Sequence, residues 1–388
     1  IGPVIEGVKH VLSDGLKLSE HLVGVIMLSV ALVVMVVSLI FIVKFMRALI
    51  IGKAELFIHK YLFRNDAAAA LLGLFLTVAV QSSSITTSLI IPLVGAGVLS
   101  LERCYPFMLG ANVGTTVTNT LASLGHLRRA NEFRLAFAAA TVHDFFNILC
   151  VMILLPVELA TGVLSSSAEW LTERLVGTSS GATWESPIKA LVKAPVESIE
   201  HGLDALGLTG TPLGLLLLAL GLGAIFLALG FITKNMKVLM ADRVERSLNA
   251  MLSRGGGVAA MALGAVITVA VQSSSITTSI MIPLCAAGVL TLRNAYPVTL
   301  GANVGTTVSA LLASLATDRP EALTVALVHT LFNVTGILLL YPIPVVREVP
   351  IRMAERLAEI GDRHRSAVVG YVLGSFIFIP ALGVVILR

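Results

Sequence analysis

Thr77-Val-Ala-Val-Gln-Ser-Ser-Ser-Ile-Thr-Thr-Ser88 recurs letter for letter as Thr268–Ser279. Around it, Gly73–Gly125 and Gly264–Ala316 agree at 36 of 53 positions without a gap, at a constant offset of 191. A second shared block, Leu-Gly-Ala-Asn-Val-Gly-Thr-Thr-Val, occupies Leu109–Val117 and Leu300–Val308. The chain is therefore an internal duplication. Each copy sets a polar cluster inside sequence apolar enough to lie in a bilayer. Polar groups in hydrocarbon are costly unless they face a cavity, a ligand or other protein. Two such clusters at matching places in two halves point to a solute site at the repeat interface, as in secondary transporters.

Composition narrows the class. Of 388 residues, 56% are hydrophobic and 13% charged, against about a quarter charged in soluble domains. Leu22–Val43, Pro212–Thr233 and Ser366–Leu387 are each 22 residues without a charge, and about 20 suffice to cross the hydrocarbon. Soluble helices keep a polar face; these have none. The net charge of +4 sits in the connections, with no basic tract interleaved with aromatics, so a nucleic-acid partner is not expected. Cys104, Cys150 and Cys285 lack metal-ligand spacing and read as small buried hydrophobes. The chain opens at Ile1 with no evident cleavable signal, and an N-terminal piece is expected to precede it.

In order, residues 1–21 mix charge with Ile, Val and Leu and predict an interfacial helix. Repeat 1 covers 22–161: the span Leu22–Val43, an amphipathic segment Lys44–Arg64, a hairpin over 67–101, a helix Tyr105–Leu124 broken at Gly110–Gly114, and the span Leu135–Val157. The hairpin's limbs have 14 and 17 apolar residues around Gln-Ser-Ser-Ser, mostly too short to cross, so a re-entrant tip near the midplane is expected. Residues 162–211, rich in Ser, Thr, Gly and Glu, read as an inter-repeat linker. Repeat 2 covers 212–346: span Pro212–Thr233, amphipathic Lys234–Arg254, hairpin 257–292, broken helix Tyr296–Leu315 and span Leu323–Ile343. His329 and Asn333 repeat the spacing of His143 and Asn147. Residues 347–388 hold a charged segment and a last span. Three crossings per repeat give inverted topology. Sixteen of the 27 Lys and Arg fall on the N-terminal side, which the positive-inside rule makes cytoplasmic. The fold class is thus an all-α polytopic membrane protein of two inverted-topology repeats, each with a re-entrant helical hairpin and a broken transmembrane helix.

The clusters suggest their own chemistry. Ser83, Ser84, Ser274 and Ser275 follow the turns, where free amides at helix N-termini and about half a positive charge suit an oxyanion. Gln81, Asn112, Gln272 and Asn303 supply hard oxygen ligands suited to sodium. No Arg or Lys falls in either cluster, so a bound anion would need accompanying cations, which implies coupling. The competing reading of Gly110–Gly114, Gly301–Gly305 and Gly370–Gly374 is small-xxx-small helix packing. His143, Asp144 and His329 read as a polar network orienting the broken helices rather than a proton relay. Gly177-Thr-Ser-Ser-Gly181 fits a serine-hydrolase pattern but lacks the strand-turn-helix setting. The sequon Asn333-Val-Thr335 falls inside a span.

The paired Gln-Ser-Ser-Ser motifs, Gly110-Ala-Asn-Val-Gly-Thr-Thr-Val-Thr-Asn-Thr120, Thr141-Val-His-Asp-Phe-Phe-Asn147 and Tyr341-Pro-Ile-Pro344 together resemble the type II sodium-dependent phosphate cotransporters. The resemblance runs from the first span to Arg365. It implies sodium-driven uptake of inorganic phosphate, with no catalytic residue and no organic cofactor. It implies one half-site of Gln81–Ser84, Asn112, Thr115, Thr116 and Asn119, and a second of Gln272–Ser275, Asn303, Thr306 and Thr307. Phosphate is then assigned to Ser83, Ser84, Ser274, Ser275, Asn112 and Asn303. Sodium is assigned to Gln81, Ser82, Asn112, Thr115, Thr116, Asn119, Gln272, Ser273, Asn303, Thr306 and Thr307. The connection 162–211 has neither the cysteines nor the sequons of animal members, which implies a compact bacterial member of a cell membrane. Arg129 stands where electrogenic members carry an Asp, which implies electroneutral transport. The alternatives are a passive anion channel and an intramembrane hydrolase.

Overall fold

A computed structural model describes residues 65–80, 82–96, 99–126, 130–176, 256–315, 317 and 319–378, with isolated positions at 23, 26, 30, 198, 202, 216, 220 and 382. The expected interfacial helix 1–21, amphipathic segments 44–64 and 234–254, and Gln81 lie outside the described residues, as do nearly all of the spans 22–43 and 212–233, most of the linker and the end of the last span. Every regular element among the described residues is helical.

The first half contributes α1 (Asp66–Val80), α2 (Ser83–Gly95), α3 (Leu101–Gly114), α4 (Val117–Ser123), a 3-10 turn (Leu124–His126), α5 (Ala130–Thr161) and α6 (Val163–Val176). The second contributes α7 (Gly257–Val271), α8 (Ser274–Ala286), α9 (Leu292–Ser314), α10 (Pro320–Leu340), α11 (Pro344–Arg363), α12 (Arg365–Leu373) and a π-helical turn Gly374–Phe378. Two of these, Asn131–Thr161 and Pro320–Leu340, are long and apolar enough to cross a membrane. The first covers the expected span Leu135–Val157, and the second covers the expected Leu323–Ile343 as far as Leu340.

Beside an apolar core, large apolar side chains are exposed and polar ones are buried. Met152, Val258 and Leu338 are 67%, 77% and 65% exposed, while His143, Asp144, Asn147, Asn303 and Asn333 are buried. Apolar side chains outside and amides inside suit a hydrocarbon surround. The three cysteines are free and buried, as expected.

The duplication is carried into the packing. In each half the first hairpin limb lies on the helix after the hairpin, α1 on α3 and α7 on α9. Glycine permits the approach. A Cβ on Gly73 would land on Phe107 O and one on Gly110 on Ala70 O; Gly264 and Gly301 meet Val298 O and Met261 O in the same way. The second limbs cross over: α2 packs on α9 and α10 of the other half, and α8 packs on α4 and α5.

Two expectations are corrected. The Gly-Ala-Asn-Val-Gly blocks do not unwind. Gly110–Gly114 is the end of α3, and the interruption comes just after it, at Thr115–Thr116. In the second half α9 runs unbroken through Gly301–Gly305 to Ser314. These glycines serve close helix packing, the competing reading. The interruption follows from what comes next. Thr118-Asn119-Thr120 continues the first copy where Ser309-Ala310-Leu311 continues the second, and Ala and Leu hold a helix better than β-branched Thr or Asn. The opening of the expected linker is also different: Val163–Val176 is helical and packs on α10. Leu164, Ala168 and Thr172, spaced by four, form its buried face.

Candidate functional site

The Ser-Ser-Ser parts of the two motifs start their helices alike. Ser82 and Ser273 are N-caps in extended backbone, and their hydroxyls accept from Ile85 N (3.3 Å) and Ile276 N (3.4 Å). Each therefore satisfies one free amide of a helix start. Ser83, Ser84 and Ser274 lie buried in the first turns that follow, and Ser275 is half-buried beside them. Gln272 turns the chain from α7 to α8 with φ 53°, the one non-glycine residue of positive φ among the described residues. That conformation costs a residue with a Cβ about 1–3 kcal/mol. Its amide offsets the cost: Nε2 donates to Val269 O (2.7 Å), capping α7, and Oε1 accepts from Ser309 Oγ (2.8 Å).

The tips meet across the halves. Ser84 Oγ lies 3.5 Å from Gln272 O and 3.4 Å from Ser309 Oγ. Ser309 was not among the residues expected from sequence, because its counterpart is Thr118 and lies outside the shared block. A second cross-half contact forms where Asn119 Nδ2 donates to Thr278 Oγ1 (2.6 Å) and Ser279 Oγ donates to Asn119 Oδ1 (3.1 Å). Asn119 thus ties the short helix α4 to the second hairpin's α8.

A tetrad of asparagines also bridges the halves. Asn147 Nδ2 donates to Asn112 O (2.9 Å), and Asn333 Nδ2 to Asn303 O (3.3 Å). Across the halves, Asn112 Nδ2 donates to Asn333 Oδ1 (2.6 Å) and Asn303 Nδ2 to Asn147 Oδ1 (2.8 Å). Asn303 Nδ2 also reaches Asn333 Oδ1 (3.0 Å). The first four bonds repeat under exchange of the halves, and the fifth has no counterpart. The Oδ1 atoms of Asn112 and Asn303 accept no hydrogen bond, so two buried acceptors remain free. His143 lies against Asn303. No hydrogen bond links His143 or His329 to Asp144 among the described residues, and asparagines, not histidines, carry the polar network on α5 and α10. The sequon Asn333 is fully buried in it.

Thr115, Thr116, Thr306 and Thr307 bond back onto their own helices. Thr115 and Thr306 hydroxyls donate to Ala111 O and Ala302 O (both 3.0 Å), Thr116 and Thr307 to Val113 O (2.8 Å) and Val304 O (2.7 Å). Their oxygens keep acceptor capacity. Of the sequence-expected residues, the structure brings Ser84 and Gln272 into one cross-half contact, ties Asn119 to Thr278 and Ser279 in another, and joins Asn112 and Asn303 through Asn333. Asn147, Asn333 and Ser309 join them. The sequence signals Asn147 and Asn333 by their common spacing to His143 and His329, and carries no signal for their partners.

A family model described as Na+/Pi-cotransporter matches residues 34–160 and 224–344, one segment in each half. Sodium-dependent phosphate transport protein 2A of Rattus norvegicus is 33% identical over 394 residues, covering 84% of this chain and 62% of the relative. Protein 2B of Homo sapiens is 31% identical over 414 residues, covering 84% and 59%. The chain thus spans about three-fifths of the length of these relatives. No solved structure matches it. With a match in each half, covering both Gln-Ser-Ser-Ser tips and all four asparagines, the chain belongs to the Na+/Pi-cotransporter family.

Proposed function

We propose that the protein couples sodium influx to uptake of inorganic phosphate, as a multi-pass protein of the cell membrane whose N-terminal side is cytoplasmic. The relatives are named as sodium-dependent phosphate transporters, and a transporter rather than an enzyme is the reading carried to this chain. The observation that carries it is the convergence of the two Gln-Ser-Ser-Ser tips at Ser84, Gln272 and Ser309. The limbs α1, α2, α7 and α8 have 15, 13, 15 and 13 residues. At 1.5 Å per residue each falls short of the roughly 30 Å hydrocarbon. That supports two re-entrant hairpins, in repeats of inverted topology, whose tips meet near the midplane.

Ser83, Ser84, Ser274 and Ser275 line the starts of α2 and α8, where amides and hydroxyls donate to phosphate oxygens. The free Oδ1 atoms of Asn112 and Asn303 and the threonine hydroxyls suit sodium, a hard cation. Sodium then supplies the positive charge that no Lys or Arg in either cluster provides. Radiolabelled phosphate uptake into proteoliposomes tests this, with an imposed sodium gradient and arsenate as competitor. Concentrative uptake is expected with sodium and none with choline; unchanged uptake in choline sinks the coupling. Two sodium ions per phosphate dianion are expected, hence no phosphate-evoked current on a solid-supported membrane.

A further inference from the structure

At the end of α8 far from its Gln-Ser-Ser-Ser tip, the turn into α9, the start of α5 and the second half of α11 line a cavity of about 510 Å³. Its lining carries two arginines, Arg134 and Arg293, and two glutamates, Glu355 and Glu359. They are not matched one to one. Arg293 grips Glu348, outside the lining, at 2.7 and 3.0 Å and reaches Glu355 at 3.5 Å. Arg134 and Glu359 are exposed, and neither has an ion pair or side-chain hydrogen bond among the described residues. The cavity thus offers one unpaired guanidinium and one unpaired carboxylate, beside a Glu355 that shares its arginine. A simple anion would face two carboxylates there, and a simple cation two guanidiniums. A ligand carrying both charges suits the set.

The surroundings say where such a ligand comes from. Leu135, Ala138 and Leu292 share the lining with the charges, and Leu135 is exposed on the outside of α5. The apolar stretch of that helix runs over 31 residues, Asn131–Thr161. At about 1.5 Å per residue it outruns the roughly 30 Å hydrocarbon, so Arg134, near its start, lies at headgroup level. The three contributing segments fall within residues 128–134, 234–293 and 347–365, which the sequence places on one side of the membrane. The duplication does not account for the charges. Pro320 stands at the place of Arg134 and Glu102 at that of Arg293. Glu355 and Glu359 lie beyond residue 344, where the family-model match ends.

We propose that this cavity binds the phosphoethanolamine headgroup of a membrane lipid, its phosphate on Arg134 and its ammonium on Glu359 and Glu355, with the acyl chains passing Leu135. Charge-assisted hydrogen bonds at both ends select that headgroup. A choline headgroup has no N–H to donate to the carboxylates, and a glycerol headgroup brings them only negative charge. The proposal rests on the membrane-spanning reading and not on sodium coupling.

The test uses the full purified chain in detergent, stripped of lipid and free of sodium and phosphate. Native mass spectrometry counts the lipid bound as phosphatidylethanolamine, phosphatidylcholine or phosphatidylglycerol of one acyl length is added. One phosphatidylethanolamine should be retained at about tenfold lower concentration than either other lipid. Arg134→Gln should weaken its retention about tenfold, and Glu359→Gln should narrow the preference over phosphatidylcholine to within about twofold. Both side chains are exposed, so the variants should melt as the wild type does without lipid. Equal retention of the three lipids, a preference for phosphatidylglycerol, or variants that bind as the wild type does overturns the proposal. Displacement of the lipid by free phosphoethanolamine at equal concentration overturns the lipid source. A failed symport assay leaves these outcomes untouched, whereas a chain that stays soluble without detergent removes the membrane-spanning reading and this proposal with it.

Discussion

The two copies of Gly-Ala-Asn-Val-Gly-Thr-Thr-Val are identical and end differently. In the first, α3 stops at Gly114 and a short α4 follows; in the second, α9 continues to Ser314. The first copy is followed by Asn119, bonded to Thr278 and Ser279, and by Thr120, bonded to Asp144. The second is followed by Ala310 and Leu311, which make no such bonds. The symmetric elements, glycine crossings and asparagine tetrad, build the scaffold. The asymmetric ones place a carboxylate on one side of it only. An identical local sequence sets an identical helix packing, and the polar residues downstream decide whether the helix is tied elsewhere.

The strongest test of the symmetric part is Gly110→Ala beside Gly301→Ala. Each puts a methyl group on a carbonyl oxygen of the facing helix, where backbone cannot give, so each should cost about 3 kcal/mol or more. A melting temperature that falls in only one of them breaks the equivalence. Next, Gln81→Ala and Gln272→Ala should each lower transport at least about tenfold with expression intact, since Gln272 bonds Val269 O and Ser309 Oγ and Gln81 is its counterpart in the first copy. Near-normal uptake in either would make that half scaffold alone.

The tetrad offers a finer contrast. Asn303 Nδ2 serves Asn147 and Asn333, whereas Asn112 Nδ2 serves Asn333, which Asn303 still satisfies. Asn303→Ala should therefore destabilise by about 2 kcal/mol and Asn112→Ala by about 1 kcal/mol. Equal losses would show that Asn112 carries a role beyond this one bond. The smallest effect belongs to Arg293, which replaces Glu102 of the first copy and grips Glu348 through two bonds of 2.7 and 3.0 Å. The guanidinium holds the Glu348 carboxyl below its ordinary value. The stabilisation is present above the ordinary carboxylate range and is lost as pH falls through the depressed value. Because Arg293 is largely exposed, Arg293→Ala should cost under about 1 kcal/mol at neutral pH, and less in acid. A pH-independent loss would mean the side chain acts by packing.

The sequence by itself determined the duplication, the apolar class, the long apolar stretches of α5 and α10, the Ser-rich segments after the turns and the pairing of His143–Asn147 with His329–Asn333. Those follow from periodicity, spacing and local capping, which act over a few residues. Only the tertiary structure decided that Gly110 and Gly301 are contact points rather than breaks, because a glycine's role depends on what stands opposite its missing Cβ. It also decided that Ser309 closes on Gln272 and that Tyr371 reaches Asp144 from 227 positions away. Hydrogen bonds across such separations have no signature in the letters between them. They exist because burial in an apolar surround leaves each polar atom only the partners that packing brings to it.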